Sequence, residues 1–121
     1  KEPDLAEIHY IPHNIEETHW FLDKIESPNF KWAFNVAHGH LVPEGWQGFL
    51  DEFGTKNIGQ VRLNDNTGKY EIHLVPGEGN IDFETLFLRL NAKDYSGWFS
   101  LGFGDDSDKV RVRDWFTTLV S

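Results

Sequence analysis

Short apolar segments alternate with amphipathic helical patterns along this chain, and this alternation limits the possible folds more than any other feature. Apolar segments suited to strands lie at residues 8–11, 30–36, 58–63 and 97–103. Each is followed by a stretch with apolar residues on one helical face, at residues 15–25, 46–53, 83–90 and 112–120. Because strands that alternate with helices pair in parallel through right-handed crossovers, the sequence predicts an α/β fold with a parallel sheet.

Four strand–helix units would make half of an eight-stranded barrel, a (β/α) half-barrel, and no linker divides residues 1–121, so we expect a single domain. A half-barrel leaves two sheet edges unpaired and a layer of apolar side chains uncovered. We therefore expect a homodimer or a partner chain to complete the barrel. One local pattern competes with this scheme, because the turn cluster at residues 64–68 and the extended segment at 70–75 predict a β-hairpin.

The charge and hydropathy of the chain exclude several classes of function. With 11 Lys and Arg against 20 Asp and Glu the net charge is −9, which argues against a nucleic-acid partner because phosphate binding draws its affinity from basic side chains. No apolar run approaches the roughly 20 residues that span a bilayer, and no signal-peptide pattern is present, so we expect a cytoplasmic protein without membrane contact. Thiol chemistry is excluded because the chain has no cysteine.

Polar side chains are concentrated where the predicted strands end. In parallel barrels the chemistry is carried by residues at the carboxyl ends of the strands. The sequence therefore predicts a functional site at this edge of the sheet. The candidates in these stretches are Asn35, His38, Arg62, Asp65, Glu71 and His73.

Three stretches of the chain resemble those of a known family. They are Asn35-Val-Ala-His38, Val61-Arg-Leu-Asn-Asp65-Asn66, and Glu71-Ile-His73 followed by Pro76-Gly77-Glu78-Gly79-Asn80-Ile81-Asp82-Phe83. In them the chain is similar to the C-terminal half of the xylose-isomerase-like TIM barrels, a superfamily of sugar phosphate isomerases and epimerases that also includes type-IV apurinic endonucleases. The resemblance implies a TIM-barrel fold and a metal-dependent isomerase or epimerase that acts on a sugar.

The same resemblance implies that the family's central metal is missing here. Family members hold that metal with a Glu, an Asp, a His and a Glu at the ends of four successive strands. The matching positions in this chain are His9, or Glu7 with a shift of register, followed by Asn35, Arg62 and Gly102. Because a guanidinium cannot ligate, a glycine has no side chain and a neutral amide is a poor ligand, we expect the central site to be degenerate.

A second metal position is implied by the endonuclease branch of the family. Glu71 and His73 match the acidic residue and the His that this branch uses for an additional metal, and His38 matches the His of the first motif. Two imidazoles and a carboxylate suit zinc, manganese or iron. The Glu-x-His spacing also places both side chains on one face of a strand. The cofactor implied is therefore a divalent metal, zinc or manganese, and no other cofactor is indicated.

Two functions of different class remain open from the sequence. In the first, the chain is part of a sugar isomerase or epimerase, with His9 and Glu71 as catalytic groups. In the second, it is a metal-free binding or scaffolding protein whose ligand is a small carbohydrate or sugar acid. The residues expected to bind that ligand are Asn35, His38, Arg62 and Asp65.

Purely structural roles would explain some of the same residues. Arg62 could form an ion pair with Asp65 or Glu71 and so take the place of the metal electrostatically. His38 and His40 could fill the mouth of the barrel and hydrogen-bond to backbone carbonyls. The arrangement of these side chains in space decides between such roles and a ligand site.

Overall fold

The computed structural model describes residues 14–25, 27 and 29–120. Within them lie three strands and five helices, in the order α1 (Ile15–Lys24), β1 (Trp32–Asn35), α2 (Val36–His40), α3 (Gly45–Phe53), β2 (Ile58–Leu63), α4 (Phe83–Ala92), β3 (Trp98–Leu101) and α5 (Asp106–Leu119). The predicted strand at residues 8–11, with His9, lies outside the described residues. None of the described helices is long and apolar enough to cross a bilayer.

The three strands form one parallel sheet in the order β1-β2-β3. Each strand is followed by a helix, so the predicted α/β fold is confirmed. The predicted hairpin is wrong, because residues 70–75 form no strand in the described chain. The antiparallel pairing across this loop consists of an isolated bridge between Asp65 and Leu74. The backbone groups of these two residues exchange hydrogen bonds of 2.9 and 3.0 Å.

One face of the sheet packs against the helices and forms the hydrophobic core. Phe34, Val61 and Phe99 lie next to one another on this face, in register across the three strands. Helix α3 brings Phe49 to within 6.2 Å of Phe34, and α4 brings Phe87 to within 5.2 Å of Phe99, measured between ring centroids. Each large apolar side chain that is fully buried stabilises the fold by roughly 1.5–3 kcal/mol. The amphipathic patterns predicted for these helices are thus confirmed.

Local sequence signals determine where the helices begin and end. Asp105 caps α5 by accepting the N–H of Asp108 at 2.9 Å, and the Asp108 side chain accepts the N–H of Asp105 at 3.1 Å. Carboxylates suit this position because the N-terminal end of a helix is partly positive. Asp82 caps α4 by accepting the N–H of Thr85 at 3.1 Å. Gly54 ends α3 with a φ of 63°, a left-handed conformation that favours glycine.

The opposite face of the sheet is called the inner face, because it lines the interior when a barrel closes. Two rows of side chains lie in register across it. The first row is Ala33, Gln60 and Trp98, and the second, nearer the carboxyl ends, is Asn35, Arg62 and Ser100. Trp98 is 81% exposed. This layer is polar apart from Ala33 and Trp98, which corrects the expectation of an apolar one.

Candidate functional site

Three side chains form a polar row near the carboxyl ends of the strands. Asn35, Arg62 and Ser100 are aligned in the register of β1, β2 and β3. Neighbouring strands lie about 4.8 Å apart, so the three side chains can contact one small molecule together. Sequence reasoning missed Ser100. The sequence did contain a signal for it. Side chains two residues apart on a strand point to the same face, so Ser100 lies on the same face as Gly102, a position that the resemblance assigns to the metal site.

Asn35 ends β1 and also begins the next helix. Its side-chain oxygen accepts the backbone N–H of His38 at 3.1 Å and thereby caps α2. Asparagine is among the most favourable residues at such a position because its short side chain reaches the free N–H groups of the first turn. The oxygen that would have to ligate a central metal is therefore engaged by the backbone.

Arg62 is exposed on the inner face, and no carboxylate neutralises its charge within the described residues. Its Nε lies 3.4 Å from Oε1 of Gln60. No ion pair joins Arg62 to Asp65 or Glu71 in the described part of the chain, so the suggested structural ion pair is wrong. Because a guanidinium stays protonated in proteins, Arg62 presents a permanent positive charge and several donors to the inner face.

His38 and Glu71 are in direct contact beside the polar row. His38 Nε2 lies 3.1 Å from Glu71 Oε1, and the two side chains are 28% and 44% exposed. The pKa of His38 is lowered, chiefly because burial disfavours the imidazolium, and the positive charges of His73 and Arg62 act in the same direction. The charge and hydrogen bond of Glu71 oppose this shift. The pair is thus both reachable from solvent and electrostatically coupled to its neighbours.

His73 is predicted to bind a metal together with His38 and Glu71. In the structure its side chain contacts a backbone carbonyl. Its Nδ1 lies 3.2 Å from the carbonyl oxygen of Gly102. Among the described residues, no three His, Asp or Glu side chains converge into a group that could hold a metal ion. The central position does not fit a metal either, because neither Arg62 nor Gly102 supplies a ligand. Within the described residues, the structure therefore brings His38, Glu71 and His73 to one edge of the sheet but does not gather them into a three-ligand group.

Asp65 lies in the interior of the protein. The residue is 0% exposed. Its carboxylate accepts four backbone N–H groups, those of Asn66 and Ile81 on Oδ1 at 2.8 and 3.2 Å and those of Gly77 and Gly79 on Oδ2 at 2.9 Å each. The carboxylate therefore holds the loop of residues 64–81 together and is not accessible to a ligand, which corrects its prediction as a substrate-binding residue.

Side-chain contacts tie this loop to α2. His40 Nε2 lies 2.6 Å from Oδ1 of Asn80, so, among the described residues, His40 is engaged by a side chain and not by a backbone carbonyl. Asn66 donates from Nδ2 to the carbonyl oxygen of Ala37 at 2.9 Å. The loop and the helix that carry the contacting imidazole and carboxylate are therefore held together.

The lowered pKa of His38 predicts that mild acid destabilises the protein. Above the ordinary histidine pKa of about 6.5, His38 is neutral in both the folded and the unfolded chain. Below it, the unfolded chain binds a proton that the folded chain resists. The free energy of unfolding is therefore expected to fall as the pH drops toward the folded-state pKa of His38, and this contribution levels off below it. Chemical denaturation from neutral to mildly acidic pH measures the effect.

The His38→Gln variant removes this contribution, so its stability is expected to depend less on pH than that of the wild type. The His19→Gln variant is the control, because His19 contacts Glu52 at the surface at 2.6 Å and leaves His38 untouched. If wild type and His38→Gln show the same pH dependence, the lowered pKa of His38 does not govern stability.

Comparisons with known proteins extend these observations. The sequence profile of the family described as "Xylose isomerase-like TIM barrel" matches residues 3–117. An uncharacterised protein of Methanocaldococcus jannaschii is 28% identical over 92 residues, which make up 74% of this chain and 31% of that protein. The solved structure of a D-tagatose 3-epimerase-like protein matches with a TM-score of 0.76 at 25% identity, over 86% of this chain and 39% of that one. The chain thus spans less than half the length of either protein.

Proposed function

Because the chain belongs to the xylose isomerase-like TIM-barrel family, we propose that it is part of a barrel that binds a small carbohydrate at the polar row, with Arg62 in place of the family's central metal. The observation that carries this proposal is the exposed guanidinium of Arg62. It has no carboxylate partner among the described residues, and it lies in register with Asn35 and Ser100.

A carbohydrate ligand is supported by the family and by the groups on the inner face. The structural neighbour is described as D-tagatose 3-epimerase-like. The amides of Asn35 and Gln60 and the hydroxyl of Ser100 combine donors and acceptors, as the hydroxyl groups of a sugar require. His38 adds an imidazole that reaches the same edge.

The charge of Arg62 favours an acidic sugar over a neutral one. A guanidinium binds a carboxylate through two parallel hydrogen bonds, which selects for geometry as well as charge. When the barrel closes, the inner face becomes interior, and an unpaired cation there is costly. A ligand with an anionic group would remove that cost.

The rest of the barrel is proposed to come from a second copy of the chain or from a partner chain. The chain corresponds to only 39% of its structural neighbour, and Trp98 on the inner face is 81% exposed. Closure would bury this ring and complete the walls of the site. Native mass spectrometry measures the assembly directly, and a monomer at all concentrations would count against self-completion.

The Arg62→Gln variant is expected to bind D-gluconate about tenfold more weakly or worse, because a hydrogen bond to a charged group contributes about 1.5–3 kcal/mol. Glutamine keeps a polar side chain and removes only the charge and the fork of donors. Isothermal titration calorimetry measures the affinity. D-glucitol, the neutral polyol with the same carbon chain, tests whether the carboxylate is needed.

The Arg113→Gln variant is the matched control, because Arg113 is exposed on α5 and contacts only its chain neighbour Asp114, at 3.1 Å, among the described carboxylates. It removes the same charge away from the inner face and should leave gluconate binding unchanged. Equal binding of gluconate and glucitol, or undiminished gluconate binding by Arg62→Gln, would refute the role of Arg62. If no carbohydrate binds at all, a scaffolding role is the better description.

Catalysis is the second candidate, and the contact between His38 and Glu71 favours it. A carboxylate held beside an imidazole can take a proton from the carbon next to a sugar carbonyl and return it to the adjacent carbon. The other predicted catalytic residue, His9, lies outside the described residues. A catalytic chain is expected to incorporate solvent deuterium into a ketose, and Glu71→Gln should abolish this exchange as followed by NMR.

A divalent metal, zinc or manganese, at His38, Glu71 and His73 belongs to this second candidate. As arranged, these side chains do not form a ligand set, and His73 would have to leave the carbonyl oxygen of Gly102. Native mass spectrometry of protein purified without chelator tests the metal, with His73→Ala as the variant that should release it.

A further inference from the structure

A pocket lies at the opposite end of the sheet from the polar row, where the chain enters the strands. Each of the three segments that lead into β1, β2 and β3 contributes one lysine to it, namely Lys31, Lys56 and Lys93. The cavity has a volume of about 370 Å³, and its walls also include Thr55 and Ser96. This cavity is termed the lysine pocket.

The lysine pocket concentrates positive charge in an otherwise acidic chain. The net charge of the whole chain is −9, yet the pocket is lined by three lysines and one carboxylate, that of Asp94. In the part of the chain that the structure describes, none of these lysines forms an ion pair. Because three like charges with one carboxylate nearby leave an excess of positive charge, a bound anion would stabilise this arrangement.

Two hydrogen bonds between the segments and one within the segment before β3 hold the lysine pocket in shape. Lys31 donates from Nζ to the carbonyl oxygen of Lys56 at 3.3 Å. Thr55 donates from its hydroxyl to the carbonyl oxygen of Lys93 at 2.8 Å. Tyr95 donates from its hydroxyl to the carbonyl oxygen of Trp98 at 2.6 Å, which closes the turn into β3. Because the segments that line the pocket are already linked, binding a ligand costs less free energy than it would if these segments had to be ordered first.

Two helix ends offer a structural explanation for part of this cluster. Helices α3 and α4 end just before Lys56 and Lys93, and cations near a helix C-terminus interact favourably with its partial negative charge. Lys31 is not explained in this way, because it lies well beyond the end of α1 and directly before β1. The helix ends also do not account for the convergence of all three lysines on one cavity.

We propose that the lysine pocket binds a diphosphate group, as a second ligand site separate from the polar row. Lysine ammonium groups act as point charges that suit phosphoryl oxygens, whereas flat bidentate recognition of a carboxylate is typical of arginine. Three ammonium groups on separate segments offer donors to both of two linked phosphoryl groups. The site lies at the amino ends of the strands, the end of a barrel that ordinarily contributes stability and not chemistry.

Two kinds of ligand carry a diphosphate group, namely inorganic pyrophosphate and a nucleoside diphosphate. Calorimetric titration of each into the whole chain at constant ionic strength is the test. Saturable binding of pyrophosphate is expected, and the Lys56→Gln/Lys93→Gln double variant should bind it about tenfold more weakly or worse. Tighter binding of ADP than of pyrophosphate would assign the pocket to a nucleotide, and equal or weaker binding would assign it to the inorganic anion.

The Lys24→Gln/Lys69→Gln double variant is the matched control, because both lysines are exposed, neither lines the pocket and the change in charge is the same. Equal weakening in the two double variants, or no saturable binding by the wild type, overturns the proposal. So does a pocket variant that unfolds more easily but binds pyrophosphate normally, because the lysines would then serve the helix ends. Arg62→Gln should leave pyrophosphate binding intact, which separates this site from the polar row.

Discussion

The Asp65→Asn variant is expected to lower the free energy of unfolding by about 3 kcal/mol or more, a large share of the stability of a small domain. Asn has the shape of Asp, so no cavity forms. It keeps one acceptor oxygen and replaces the other with an NH₂ group, which cannot accept a hydrogen bond. In either orientation of the amide, two backbone donors of the loop lose their acceptor, the buried ones of Asn66 and Ile81 or the partly buried ones of Gly77 and Gly79.

Urea denaturation measures this change. The Asp114→Asn variant is the matched control, because Asp114 is exposed on α5 and its ion pair with Arg113 is of the surface kind that contributes little. The control should unfold at the wild-type midpoint. A wild-type midpoint for Asp65→Asn would mean that other contacts hold the loop of residues 64–81.

The Gly79→Ala variant is expected to be destabilised to a similar extent, for a steric reason. A methyl group on Gly79 would overlap the carbonyl oxygen of Asn66 and the carboxylate of Asp65. The backbone approaches Asp65 so closely because the N–H of Gly79 donates to Oδ2 at 2.9 Å. If the loop moves away to relieve the overlap, this hydrogen bond breaks. Overpacking alone lowers the free energy of unfolding by about 1–3 kcal/mol, and the lost hydrogen bond adds to that loss.

The Gly102→Ala variant is the matched control for this substitution, because a methyl group at Gly102 meets no atom within 4 Å. Its midpoint in urea should equal that of the wild type. The double variant Asp65→Asn/Gly79→Ala tests whether both changes act through one contact. Its destabilisation should be smaller than the sum of the two single effects, because neighbouring sites are not additive. A full sum would show that Gly79 is required for a different reason.

Asp65 and Gly79 lie in two of the three stretches in which the chain resembles its family. Asp65 and Gly79 build the loop after β2, and their contacts explain why a carboxylate and a glycine are needed there. The resemblance implies, by contrast, that the positions of the central metal hold residues such as Arg62 and Gly102. We therefore base the proposed function on the surroundings of Arg62.

Apolar periodicity predicted the strands and helices well because it is local and the core enforces it. Strand β2 has its predicted bounds, Ile58–Leu63, since Val61 and Leu63 alternate with exposed or half-buried polar neighbours. Helix α4 begins at residue 83, as predicted, whereas α5 begins at Asp106, six residues before the predicted apolar face. The hairpin prediction failed because the extended pattern of residues 70–75 is local. It does not reveal that the buried carboxylate of Asp65 accepts hydrogen bonds from backbone N–H groups along the loop.

By itself, the sequence determined the alternation of the three described strands with longer helices, the parallel sheet and the edge at which polar residues collect, because hydrophobic period acts over a few neighbouring residues; the short helix α2 was not predicted. The tertiary structure alone decided that Asp65 points inward, that Arg62 has no carboxylate partner among the described residues and that three lysines meet at the other end. These outcomes depend on side-chain direction and on distances between segments far apart in the chain, which no local pattern encodes.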